Sequence, residues 1–188
     1  RSVQALGGDN WKLWLDRDAK YKEDVLRLNP VDAAKIRSGA ADWLTPVAVK
    51  DLPVNPPTCG WEKLFSETVH WSEATRAWKD RKLSLGVSVP GTVEQYFFDA
   101  ISGNRQGERE TGDYKGVSWW GRSFLVPAAA QGQRVTLYFT EGIRQRAEIF
   151  VNRRLVGYEL VLQSPFEVDV TDVVNYGGAN EIAVRITD

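Results

Sequence analysis

The clearest pattern lies in the second half of the chain. Val135, Leu137 and Phe139 alternate with Arg134, Thr136 and Tyr138, and Ala147, Ile149 and Val151 alternate with Glu148 and Phe150. Successive side chains of a strand point to opposite faces, so each run predicts a strand with one buried face. The same period recurs in Phe166, Val168 and Val170 against Glu167 and Asp169. It returns in Ile182, Val184 and Ile186 against Glu181, Ala183 and Arg185. Turn chemistry separates the runs at Glu141-Gly142, Asn152-Arg153 and Asn175-Tyr176-Gly177-Gly178. Short strands joined this way predict an antiparallel sandwich over 87–187. Its interior is then built from Val135, Leu137, Phe139, Ile149, Val151, Val168, Val184 and Ile186.

Helical signals are few. Thr92 and Gln95 make a capping-box pattern, with Val93, Phe97, Ala100 and Ile101 on one face of the short helix that follows. Trp11, Leu13 and Leu15 predict an opening strand, after which come a charged run and Pro46, Pro53, Pro56 and Pro57. Residues 20–80 therefore read as a long insertion laid over the sandwich, with Ser72 placed to cap a short helix through Trp78. Trp43, Trp61, Trp71 and Trp78 make this segment too apolar for a solvated linker, so it is expected to be an ordered clasp.

Composition narrows the chemistry. A chain of 188 residues fits one domain with an ample core, and 24 basic residues set among 25 acidic ones leave no footprint for a phosphate backbone. Nucleic acid is not an expected partner. The single cysteine, Cys59, excludes an internal disulfide or thiolate cluster, and the single histidine, His70, removes the Ser-His-Asp, Cys-His and multi-histidine zinc sites. No metal or cofactor is expected. Gly7-Gly8 and Gly177-Gly178 lack the strand–loop–helix context of a phosphate cradle, and Glu108 with Glu110 and Asp16 with Asp18 read as solvated carboxylates. No run approaches the roughly 20 apolar residues of a membrane span, and Arg1 opens no signal-peptide pattern, so no membrane partner is expected. The absence of methionine makes a piece of a longer protein the expectation.

Several segments carry a specific resemblance. Val87-Ser88-Val89-Pro90-Gly91-Thr92-Val93, then Gly116-Val117-Ser118-Trp119-Trp120-Gly121-Arg122-Ser123-Phe124-Leu125-Val126-Pro127, occur in the order and spacing of the N-terminal sugar-binding domain of family 2 glycoside hydrolases. Arg134 to Phe139, Ala147-Glu148-Ile149-Phe150-Val151-Asn152, Leu155 to Tyr158, Ser164 to Thr171 and Asn180 to Arg185 continue the match, and Leu6 to Leu15 resembles the family's first strand. The resemblance, to β-galactosidases and β-glucuronidases, implies an all-β, galactose-binding-domain-like jelly-roll sandwich carrying a long N-terminal insertion. It also implies immunoglobulin-like and TIM-barrel domains as partners in the same polypeptide, carbohydrate as ligand, and a bacterial periplasmic or extracellular setting. The family's two catalytic glutamates lie on the barrel, so no residue of this chain inherits a catalytic role.

The loop 99–117 reaches toward the active-site mouth in the family. On that ground Asn104, Asp113, Tyr114, Trp119, Trp120 and Arg122 are the candidate substrate-binding residues: planar polar groups for sugar hydroxyls, and rings for sugar C–H faces. Trp119 and Trp120 must point to opposite faces, so one of them needs a covering surface: sugar, barrel or insertion. Residues 20–80 have no counterpart in the family, and Asn152-Arg153 replaces the frequent Asn-Gly, predicting a wider hairpin. The rival readings are an autonomous carbohydrate-binding module and a structural scaffold.

Overall fold

The computed structural model describes residues 2–16, 19, 47–48, 60–65, 68–69, 84–96, 114–160 and 163–188. Among them lie β1 (Gly8–Asp16), β2 (Val47–Ala48), α1 (Trp61–Phe65), β3 (Thr68–Val69), β4 (Ser84–Val89) and β5 (Val117–Val126). A 3-10 turn at Ala128–Ala130, then β6 (Thr136–Phe139), β7 (Arg146–Val151), β8 (Arg154–Glu159), β9 (Phe166–Asp169) and β10 (Gly178–Thr187) follow. Eight strands form one sheet in the order β2-β8-β7-β10-β5-β1-β4-β3, and β6 pairs with β9 in a second. Every pairing is antiparallel except β3 on β4. The result is the all-β sandwich that the alternation predicts.

The period-2 residues divide as the two layers require. Leu137, Ile149, Val151, Val168 and Val184 are buried between the sheets with Trp11, Leu13, Trp120 and Phe124, and Val135, Phe139 and Ile186 pack at the margin of this core. Phe139 and Phe166, opposite each other on β6 and β9, stack with ring centres 4.4 Å apart. The other face of the large sheet carries a second core of Val117, Trp119, Phe150, Leu155 and Ala183, covered by Trp61 and Leu64 of α1.

Two local expectations meet the structure differently. The Thr92 hydroxyl accepts a bond from the Gln95 amide, capping the helical turn 93–96. Phe97, Ala100 and Ile101, and the Ser72–Trp78 segment, lie outside the described residues. The β7–β8 hairpin is not widened: Val151 pairs with Arg154 across a two-residue loop in which Asn152 (φ 50°) and Arg153 (φ 64°) are both left-handed, as a type I′ turn demands. Side-chain contacts offset the cost of that conformation. Asn152 Nδ2 donates to Val173 O and to Asn180 Oδ1, both at 2.8 Å, while its Oδ1 accepts from the Glu181 amide at 3.0 Å.

Candidate functional site

β5 separates the candidates that sequence reasoning grouped. Tyr114, just before the strand, is buried; its hydroxyl donates to Val117 O at 2.9 Å, and its amide donates to Glu94 Oε1 at 2.9 Å. Trp120 points between the sheets, where its Nε1 donates to Ser118 Oγ at 3.1 Å and its ring meets Tyr96 edge-on. Arg122, on the same face of β5, is half-buried and donates through Nη1 to the Leu6 carbonyl and through Nε to Ser123 O. Trp119 points the opposite way and is fully buried, stacked on Phe150 with ring centres 5.5 Å apart. Asn104 and Asp113 lie outside the described residues. The four described candidates thus stand on two sides of the large sheet, three of them buried.

What the fold does bring together is a polar row on the outer face of that sheet. Trp14, Trp119, Arg185, Glu148 and Tyr158 are successive register partners across β1, β5, β10, β7 and β8. Arg185 and Glu148 are both 0% exposed. Arg185 Nη1 lies 3.3 Å from Glu148 Oε2 and 3.3 Å from Thr187 Oγ1, and Arg146 Nε lies 3.2 Å from Glu148 Oε1. Asp16, also buried, adds a second carboxylate to balance the second guanidinium. Burial pushes the Glu148 carboxyl up to about 7 against the opposing pull of Arg146. Burial also draws Arg185 down to about 10, with the Asp16 charge resisting.

Sequence reasoning missed this row because it assigned Glu148 and Arg185 to the solvent side of their strands. They do occupy the outward positions of the alternation, but a second layer lies over that face. The signal available was Phe150 two residues from Glu148 on the same face: a large ring among supposedly solvated neighbours. Chemically the row is a buried cluster of paired groups. Glu148 is fully buried and lies against both guanidiniums, so the row ties β7 to β10 rather than opening to solvent.

Known proteins place this sandwich in context. No family model matches the chain. Over 75 residues it is 37% identical to a β-galactosidase of Thermoanaerobacter pseudethanolicus, a match covering 39% of this chain and 10% of that protein. Over 104 residues it is 29% identical to a β-glucuronidase of Formosa agariphila, covering 54% of this chain and 10% of that one. These matches are consistent with an N-terminal domain of the family 2 glycoside hydrolase kind.

The solved structures agree on the fold. A β-glucuronidase of Lactobacillus rhamnosus superposes with a TM-score of 0.55 at 22% identity, covering 98% of this chain and 21% of that one. The Ruminococcus gnavus β-glucuronidase in complex with D-glucuronic acid gives a TM-score of 0.54 at 18% identity, covering 98% and 22%. The chain spans only about a tenth of the length of the curated relatives it matches and about a fifth of these structures.

Proposed function

We infer that this chain is a non-catalytic accessory domain of a family 2 glycoside hydrolase, helping to shape the substrate pocket and supporting a catalytic barrel that cleaves O-glycosidic bonds. The observation that carries this reading is coverage: 98% of the chain superposes on 21% of a β-glucuronidase chain. A unit that fills one part of a larger glycosidase is expected to act with the remainder. Immunoglobulin-like and barrel domains of the same polypeptide are its proposed partners, with carbohydrate as the shared ligand. Geometry supports the non-catalytic part of the reading. Retaining hydrolysis needs two carboxyls about 5 to 5.5 Å apart at an open site, whereas among the described residues the buried Glu148 is paired with Arg146 and Arg185.

Aryl β-D-glucuronides and β-D-galactosides test the proposal. The purified chain is expected to turn over neither, whereas the complete gene product cleaves one of them and loses that activity when these residues are deleted. Turnover by the isolated chain, abolished by a point substitution within it, overturns the non-catalytic role. Saturable binding of glucuronic acid or galactose by the isolated chain would instead identify an autonomous binding module.

A further inference from the structure

Between β1 and β4 the described residues touch the large sheet through β2, α1 and β3. β2 pairs antiparallel with β8, at one edge of the sheet. β3 pairs parallel with β4, at the opposite edge. α1 lies between them against the outer face. Strands in a sheet are about 4.8 Å apart, so the five intervals from β8 to β4 put the two edges roughly 24 Å from each other. A single segment thus reaches both edges and the middle.

The middle contact is a fitted one. A Cβ on Gly60 would stand 2.1 Å from Trp119 Cγ, so only glycine lets the backbone lie on that ring. On the sheet side, Gly121 interrupts β5 with an open space: a Cβ there would stand 2.8 Å from Leu64 Cδ1 and 3.2 Å from Phe65 Cζ. Leu64 fills it and is 0% exposed. Trp61 Nε1 donates to Glu181 Oε2 of β10 at 3.1 Å. From the β7–β8 turn, the Arg153 guanidinium lies 5.8 Å from the Trp61 ring centre and pairs with Glu62 at 2.9 Å. The two edge contacts, by contrast, are strands of two residues each, too short to persist unaided.

We propose that β2, α1 and β3, three pieces of one stretch of chain, act as a strap, locked at Gly60–Phe65, that guards both edges and the Trp119 region of the outer face of the large sheet against strand addition and partner docking. The strap couples the edges: release at the centre frees β8 and β4 together. Unstrapped, the chain presents two unpaired edges and an apolar face bearing Trp119, Phe150 and Leu155, and associates with itself. This inference stands independently of the glycosidase reading.

Hydrogen exchange on the intact chain tests it, with Gly60→Ala as the disrupting variant and Leu64→Ala as a milder one that adds no bulk. Both are expected to speed amide exchange at least tenfold at Arg154–Leu155 and at Ser84–Leu85, on opposite edges, while Leu137 and Val168 in the second sheet keep their protection. Light scattering is expected to show species larger than the monomer. If Gly60→Ala does not fold, Leu64→Ala carries the test alone. Faster exchange confined to 60–65, or at one edge only, overturns the coupling, and a monomer with both edges exchanging freely overturns the protective role.

Discussion

Leu137 and Tyr138 are neighbours on β6, yet one is 7% exposed and the other 59%. That difference is the period-2 pattern expressed as free energy. Leu137→Ala leaves a cavity between the sheets and is expected to cost about 2 to 5 kcal/mol in urea unfolding, whereas Tyr138→Ala stays within about 0.5 kcal/mol. Equal losses would contradict the facing. Glu148 obeys the same alternation with another consequence. An acid whose pKa rises on folding binds its proton more tightly in the folded state, so folding is favoured at low pH and loses that advantage as pH rises. Here the window runs from 4.5, the unfolded value, to about 7. At about 1.4 kcal/mol per pH unit, the loss across the window is about 3 kcal/mol. Stability measured at pH 4.5 and at pH 7.5 should therefore differ in that direction, and Glu148→Gln should flatten the profile. A rise in stability through the same window in the parent chain, removed by the substitution, would show that the two arginines outweigh burial.

At the scale of elements, the strands were legible, and so in outline was a covering by Trp61 of the insertion, but the short helix that provides it was not. Val135 to Phe139, Ala147 to Val151 and Ile182 to Ile186 announce themselves because one face of each is continuously apolar over four to six residues. Which element covers the outer face was hidden because α1 is five residues long, too short for a helical period, and meets β5 across more than fifty residues of chain. The candidate site fared similarly. Sequence alternation did show that Trp119 and Trp120 face apart, but not that Trp119 is sealed by Trp61 and Phe150, nor that Tyr114 and Arg122 spend their polar groups on backbone carbonyls. The β7–β8 hairpin was misjudged because turn chemistry was read from two residues, while its support comes from Asn180, Val173 and Glu181. This makes Asn152 more than a turn residue. Asn152→Ala is expected to cost about 1 to 3 kcal/mol by stranding the buried Asn180 and two partly buried backbone groups, and Asn152→Gly, which suits the left-handed backbone, should recover little of it. Full recovery with glycine in a denaturant titration would mean that backbone conformation, not the amide network, holds the hairpin.

At the scale of the whole molecule, the sheet is assembled from the two ends of the chain. β1 alone joins β4 and β3 to the other strands, and β10 alone joins β8 and β7 to β5. No local pattern reveals this order, since β1 and β10 each pair with strands far away in sequence and both look like ordinary amphipathic runs. The arrangement has a mechanical consequence. Backbone hydrogen bonds of a central strand are satisfied only by its neighbours, so removing that strand exposes two buried edges and divides the core on both faces. A chain ending at Asn175, which lacks β10, loses Ile182 and Val184 from one core and Ala183 from the other, and leaves Glu148 without Arg185. Burying Glu148 with that partner gone is strongly unfavourable. The truncated chain is therefore expected to show no cooperative thermal transition and no near-ultraviolet circular dichroism from fixed tryptophans, rather than a transition shifted by a few degrees. Deleting residues 2–16 should have the same effect from the opposite end. A cooperative transition retained by either truncation would mean that half of the large sheet folds by itself, and that the chain is two stable units rather than one.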